Sequence, residues 1–221
     1  MIERLLPPTV VVVETREELL DVVLFAQEEL MVSQAVDKRR REFVTGRACA
    51  RQALERLGLP ITAIASGEHH EPLWPPGIVG SITHCTGYRA CALARATHIS
   101  GLGIDAEVNK PLAPGVLQRV AFGREQDLAA DVSAGGPVWL DMLIFSAKEA
   151  VYKTWFPLTR RSLRFEDVEL SLDLAAHTFR AALRVPGPTV DDVTLTELHG
   201  RWGLNDDVIC TAVAIPRRAA G

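Results

Sequence analysis

Two carboxylates stand two residues apart in Gly101-Leu102-Gly103-Ile104-Asp105-Ala106-Glu107. On a strand, positions i and i+2 point to one face, so Asp105 and Glu107 converge while Ala106 turns away. A third acid, Glu149, lies in Phe145-Ser146-Ala147-Lys148-Glu149-Ala150-Val151-Tyr152-Lys153, four residues before Lys153 and on the same side of a helix. If that helix docks on the strand, three carboxylates can meet. With water and phosphate oxygens they would suit Mg²⁺, whose charge relieves the repulsion of such a cluster. Taken singly, each segment has a plainer reading: solvated acids at a strand end, and a surface Glu149–Lys153 ion pair worth about 0.2–0.5 kcal/mol.

A second group of residues is basic. Lys38-Arg39-Arg40-Arg41 opens a helix that also carries Arg47 and Arg51. Arg39 and Arg47 are about two helical turns apart, so they share a side, and guanidinium groups match phosphate oxygens. A basic run at a helix start is ordinarily a solvated face. Here it stands at the end that the helix dipole disfavours for cations, which speaks for a functional reason. Ser81-Ile82-Thr83-His84 adds two hydroxyls and an imidazole. On its own it reads as a structural histidine at a strand end.

These residues need elements to hold them. The run Val10 to Val13 reads as a strand. Thr15 and Glu18 form a capping-box pattern for a helix through roughly Leu30, with Leu19, Leu20, Val23 and Leu24 inward. Asp37 to Leu57 is the clearest helix, with Phe43, Ala50, Leu54 and Leu57 at helical spacing and Gly58 and Pro60 to stop it. Strands follow at Ile78–Thr83, Tyr88–Arg95 and Ile99–Glu107. A short helix is expected near Val116–Phe122, a break at Gly135-Gly136-Pro137, and a second strong helix over Trp139–Trp155 that ends at Phe156-Pro157. The rest alternates as strands at Val168–Leu172, Phe179–Val185, Leu195–Trp202 and Val208–Ile215, with a hairpin near His177. Helix and strand in both halves give an α+β class.

The chain has 221 residues and 48% hydrophobic residues, enough to bury a core. Its net charge of −4 argues against a nucleic-acid binder. No apolar stretch reaches membrane-spanning length, and the N-terminus does not read as a signal peptide. Cys49, Cys85, Cys91 and Cys210 fit no zinc spacing and read as free thiols. The expectation is a cytoplasmic protein with no membrane or nucleic-acid partner.

Taken in order, the segments resemble the Sfp-like family of 4′-phosphopantetheinyl transferases, in the look of its actinobacterial and enterobactin-synthase-component-D-like branch. The matching pieces are Lys38–Arg51, Glu71-Pro72-Leu73-Trp74-Pro75, Ser81–His84, Gly103–Glu107 and Phe145–Lys153, extended by Trp155-Phe156-Pro157-Leu158-Thr159. The resemblance covers most of residues 35 to 165, and the last two motifs are specific in combination. It implies a pseudo-dimer of two similar α+β halves, 1–102 and 103–221, with coenzyme A in the cleft between them. It implies a Mg²⁺-dependent enzyme, with Mn²⁺ as an alternative ion, that transfers phosphopantetheine from coenzyme A to a serine of an apo acyl or peptidyl carrier protein.

By the same resemblance, Asp105, Glu107 and Glu149 bind the metal. Arg39, Arg47 and His84 hold the 3′-phosphate end, with Ser81 or Thr83 nearby. Lys148 and Lys153 contact the diphosphate, and Glu149 is the base. The family's usual basic residue before the Pro-Trp element is missing from Ser66-Gly67-Glu68-His69-His70-Glu71. The region Pro111 to Leu128 is expected to meet the carrier. Fatty-acid, polyketide, nonribosomal-peptide and siderophore pathways all remain open, and a monomer is expected. Two other readings use the same residues: a Mg²⁺-dependent phosphohydrolase, and a degenerate module that binds coenzyme A without turnover.

Overall fold

The computed structural model describes residues 1–19, 21–132 and 137–218. The strands are β1 (Val11–Thr15), β2 (Ile78–Cys85), β3 (Tyr88–Arg95), β4 (Ile99–Val108), β5 (Val168–Asp173), β6 (Thr178–Leu183), β7 (Thr189–Val190), β8 (Val193–Thr194), β9 (Glu197–Asn205) and β10 (Val208–Pro216). The helices are α1 (Ala26–Val32), α2 (Asp37–Arg56), α3 (Leu117–Val120), α4 (Arg124–Val132) and α5 (Leu140–Thr159). A three-stranded sheet runs β1-β3-β2 and a five-stranded sheet runs β4-β10-β9-β6-β5, with β7-β8 as a separate ribbon. This is the expected α+β class. Each main sheet carries one 20-residue helix, α2 on the first and α5 on the second.

The two-residue period of the strands sorts the core. On β3, Cys91 and Leu93 pack with Ala50, Ala53 and Leu54 of α2. The alternate residues Ala90, Ala92 and Ala94 join Leu102, Ile104 and Ala106 of β4 and Val208, Cys210 and Ala212 of β10. The other face of the five-stranded sheet receives Leu143, Ile144, Ala147, Ala150 and Val151 of α5. Burying each large aliphatic side chain contributes about 1.5–3 kcal/mol. α2 stops at a Schellman turn: Gly58 takes φ +69°, its N–H bonds Glu55 O, and Leu59 N–H bonds Leu54 O at 2.9 Å.

The two sheets meet at β2 and β4 without a backbone ladder. Side chains replace it: Ser81 Oγ accepts from Ile104 N at 3.1 Å, and Thr83 Oγ1 accepts from Ala106 N at 3.0 Å. β4 is continuous from Ile99, so a division of the chain at Leu102 would fall inside a strand.

Several boundaries differ from the sequence pattern for local reasons. The expected helix from Thr15 does not form there: Thr15 ends β1, and its hydroxyl accepts from Glu17 N at 3.0 Å. Glu18 is drawn to Arg41 and Arg89 instead of a cap. The helix starts only at Ala26, where Glu28 accepts from Phe25 N at 3.0 Å, and Val23, expected inward, is 86% exposed. The expected Val116–Phe122 helix shortens to α3. α4 follows it, begun by Glu125 accepting from Phe122 N at 2.8 Å. α5 continues past Phe156 with Pro157 inside it, and ends where Arg160 turns to φ 54°. In that last turn the N–H missing from proline costs one bond, and Arg160 N still reaches Phe156 O at 2.8 Å. The expected turn at His177 is present, at φ 54°. Leu20 and the Gly135–Gly136 break lie outside the described residues. Among the described residues no helix is long and apolar enough to cross a membrane, and all four cysteines are free and buried.

Candidate active site

Glycine brings the two motif segments together. Gly101, Gly103, Asp105 and Glu107 share the face of β4 that looks at α5. A Cβ at Gly103 would stand 2.2 Å from Ala150 O and 2.4 Å from Thr154 Oγ1. Only glycine lets the helix backbone approach this closely. One turn along, Asp105 meets α5 side chains. Lys153 Nζ donates to Asp105 Oδ1 at 2.6 Å and to Ile104 O at 3.2 Å. Ser146 Oγ donates to Asp105 Oδ2 at 2.8 Å, and Thr83 Oγ1 lies 3.3 Å from Oδ1. Glu149 and Lys153 fall on the same side of α5, as their spacing predicts.

The acids sense one another. Burial, reinforced by Asp105, pushes the Glu107 carboxyl up to about 7, while Lys153 pulls it down. Burial and Asp105 also raise Glu149, again against Lys153. Among the described residues, no three His, Cys, Asp or Glu side chains form a group that could hold a metal as they stand. Lys153 is the ammonium that occupies Asp105. A set of crowded carboxylates with raised proton affinity suits a hard divalent cation with oxygen ligands, and Asp105, Glu107 and Glu149 are the residues that could turn toward one.

The raised carboxyl has a measurable consequence. The folded protein keeps a proton on Glu107 at pH values where the unfolded chain has lost it, so this group costs stability as pH rises from about 4.5 to about 7. Replacing Glu107 by Gln removes that cost. Urea unfolding without divalent metal is expected to show Glu107→Gln gaining stability over wild type as pH rises through that window. A constant difference between the two proteins would contradict the assignment.

The basic group lines a cavity of about 240 Å³ with Arg39, Glu42, Phe43, Arg47, Ser66, Thr83, His84 and Lys153 on its walls. Arg47 is buried, and burial lowers its pKa to about 10 against the opposing pull of Glu28. Its partners are loose: Ser66 Oγ at 3.3 Å, Glu28 at 4.0 Å and the Phe43 ring at 4.2 Å, with Nε unpaired. A buried cation so weakly matched is a place for an anion. Arg39 Nη1 lies 2.5 Å from His84 Nε2, with Glu42 at 3.5 Å. Burial lowers the His84 pKa, which Glu42 opposes and Arg39 and Lys153 reinforce, so its ring is neutral near pH 7.

A second cavity of about 180 Å³ shares His70, Pro72, Ile82 and Lys153 with the first and adds Glu149, Tyr152 and Phe156. A third, of about 200 Å³, lies beyond Glu149 and Tyr152 against Leu163, Phe165 and Val168. Through the residues they share, the three make a path from Arg47 past Lys153 and Glu149. A larger hollow, about 510 Å³ along β5, β6, β9 and β10, contains none of these residues. The loop before Pro72 is closed by a Ser66–Pro72 bridge, and His69 packs on Phe156 at 4.8 Å while Glu71 pairs with Arg160 at 2.7 Å. His69 and His70 both line the second cavity, and His70 also lines the first.

Thus Arg39, Arg47, His84, Asp105, Glu107, Glu149 and Lys153 gather around one cleft or its electrostatics. Three expected ligand contacts border the cleft with their polar atoms already engaged. Ser81 and Thr83 are buried with their hydroxyls on β4, Ser81 bordering the second cavity and Thr83 the first. Lys148 borders the third cavity, about 100° around α5 from Glu149, while its ammonium is held by Glu125, Val120 O and Phe165 O. Ser146, Thr211 and Tyr152 received no role from sequence. Ser146 was visible within its motif, but no local signal marks Thr211.

Known proteins share this arrangement of segments. Residues 27–94 match the family model for the 4′-phosphopantetheinyl transferase N-terminal domain, and residues 101–211 match that for the 4′-phosphopantetheinyl transferase superfamily. The chain is 47% identical to 4′-phosphopantetheinyl transferase Svp of Streptomyces mobaraensis, over 87% of this chain and 79% of that one. It is 43% identical to 4′-phosphopantetheinyl transferase Npt of Nocardia iowensis, over 97% and 99%. It is 40% identical to 4′-phosphopantetheinyl transferase PptT of Mycobacterium tuberculosis, over 86% and 85%. The chain belongs to the 4′-phosphopantetheinyl transferase superfamily.

Proposed function

We propose that this family member transfers the phosphopantetheine arm of coenzyme A to a serine of an apo acyl or peptidyl carrier protein, with Mg²⁺ bound by Asp105, Glu107 and Glu149. The observation that carries this reading is the continuity of the cleft. An anion-seeking cavity at Arg39, Arg47 and His84 opens, past Lys153, onto Glu149, and Lys153 is itself bonded to Asp105. The 3′-phosphate fits the first part and the diphosphate the second.

In the reaction the serine oxygen forms a bond to the β-phosphorus of coenzyme A. The bond from that phosphorus to the bridging oxygen breaks, and 3′,5′-ADP leaves with the electron pair. The serine proton passes to Glu149, the carboxylate that lines the cleft on both sides of Tyr152. Lys153 supplies positive charge where the 5′-phosphate of the departing 3′,5′-ADP gains negative charge. A bound divalent ion would add Lewis-acid stabilisation at the same oxygens. Lys148, held by Glu125, has no part in these steps.

The test is to incubate the protein with coenzyme A, Mg²⁺ and an apo carrier protein and weigh the carrier intact. The expected result is a gain of one phosphopantetheine arm, abolished by EDTA and by loss of the carrier serine. No gain with several carrier classes, despite coenzyme A binding, would favour a binding module. Release of phosphopantetheine products without a carrier would favour a phosphohydrolase. Arg47→Ala is expected to weaken coenzyme A binding by about 10- to 100-fold, the value of one or two charge-assisted hydrogen bonds, and to leave dephospho-coenzyme A binding nearly unchanged. Calorimetry showing equal losses for both would remove Arg47 from the 3′-phosphate.

A further inference from the structure

β10 pairs antiparallel with β4 so that Thr211 stands directly opposite Asp105. Residues opposed in this way project to the same face, here the face covered by α5. Thr211 and Ser146 are both fully buried. Thr211 Oγ1 donates to Ser146 O at 2.9 Å and lies 2.9 Å from Ser146 Oγ. Ser146 Oγ in turn lies 2.8 Å from Asp105 Oδ2. Three elements therefore meet in one chain of oxygens.

Counting protons gives the chain a direction. A carboxylate only accepts, and each hydroxyl has a single proton. The Ser146 proton must point to Asp105 Oδ2. The Thr211 proton then points back at Ser146, shared between its carbonyl and hydroxyl oxygens. We propose that Thr211 is a positioning residue for the reaction: it holds the Ser146 hydroxyl on Asp105 Oδ2, which leaves Oδ1 to Lys153, the cation on the cleft wall, and to Thr83. Without Thr211, Ser146 has a competing acceptor. A serine within a helix readily bonds the carbonyl four residues back, which here belongs to Met142. Asp105 would then lose its inner anchor and rotate away from the orientation that the cleft uses.

This inference rests on the reading of Asp105 as part of the reaction site. Supporting groups of this kind change metal affinity or activity by about 10- to 100-fold. The experiment compares Thr211→Val and Thr211→Ser for kcat, for KM of coenzyme A, and for Mn²⁺ affinity by calorimetry without substrate. Thr211→Val is expected to lose about 10- to 100-fold in kcat and in Mn²⁺ affinity, with a smaller change in KM for coenzyme A because Arg39, Arg47 and His84 keep their places. Thr211→Ser should restore both. Ser146→Ala should match Thr211→Val, with the double variant no worse than either single one. Wild-type kcat and Mn²⁺ affinity in Thr211→Val would overturn the inference, as would equal losses in Thr211→Val and Thr211→Ser. A wild-type protein that neither transfers the arm nor binds Mn²⁺ would overturn the proposed function instead. The crystal structure of Thr211→Val would then decide the positioning role, and a Ser146 hydroxyl still on Asp105 Oδ2 would overturn it. Failure of Thr211→Val to fold passes the same comparison to Ser146→Ala and Thr211→Ser.

Discussion

Glu149→Gln is expected to lose about 10²- to 10⁴-fold in the rate of carrier modification, the usual contribution of a positioned general base. The substitution keeps shape and volume while removing the capacity to accept a proton. Glu149 lines both the cavity shared with Lys153 and the one beyond Tyr152, so a nucleophile approaching the diphosphate passes its carboxylate. Burial and the Asp105 charge raise its pKa, which means that the ionised form is disfavoured in the folded state. The sign for stability follows: a neutral amide in its place should leave unfolding unchanged or make it slightly harder near pH 7. Rates from the time course of carrier mass, set beside urea midpoints, separate the two effects. Near-wild-type turnover in Glu149→Gln would remove it as base and as metal ligand together. Lost turnover with a collapsed midpoint would make it a structural residue.

The sequence reading succeeded where a local pattern carries the physics. Alternating glycine and acid in Gly101–Glu107 is a strand pattern with one side stripped for close approach, and β4 uses it in that way. The spacing of Arg39 and Arg47, and of Glu149 and Lys153, put each pair on one helix face, and both pairs border the cleft. It failed where the answer depends on partners distant in sequence. Thr15 and Glu18 match a capping box, yet Arg41 and Arg89 take Glu18. Ser81, Thr83 and His84 offer two hydroxyls and an imidazole to a phosphate, but the hydroxyls close the gap between two sheets that lack a ladder there. Periodicity gives the angle between two residues on a helix and says nothing of how the helix is rotated against its sheet. Only the family motif sets Lys148 beside Lys153, since five residues along a helix turn a side chain about 140° away. The Thr211–Asp105 pairing spans strands at opposite ends of the second half and depends on a register that no motif encodes.

Lys148→Met is expected to destabilise the protein by about 3–5 kcal/mol, the cost of stripping one partner from a buried ion pair. Lys148 is 2% exposed and its ammonium donates to Glu125 Oε2 at 2.7 Å, Val120 O at 2.9 Å and Phe165 O at 3.0 Å. Glu125, equally buried, also accepts from Phe122 N at 2.8 Å and Leu170 N at 2.6 Å. The pair thus ties α5 to the end of α3, the start of α4, the Phe165 turn and β5. Methionine fills the volume of the aliphatic stem but leaves the Glu125 charge and two carbonyl oxygens without the ammonium. Burial lowers the Lys148 pKa while Glu125 supports the charge, which is the balance of a structural ion pair rather than of a group waiting for a ligand. Glu149 differs because one step along a helix turns a side chain by about 100°: both residues border the third cavity, but Glu149 alone also lines the one shared with Lys153. Urea unfolding and single-turnover rates on the same preparations distinguish the roles. The expected outcome for Lys148→Met is a large drop in midpoint, with the rate per folded molecule falling far less than in Glu149→Gln. An unchanged midpoint with a collapsed rate would return Lys148 to the diphosphate.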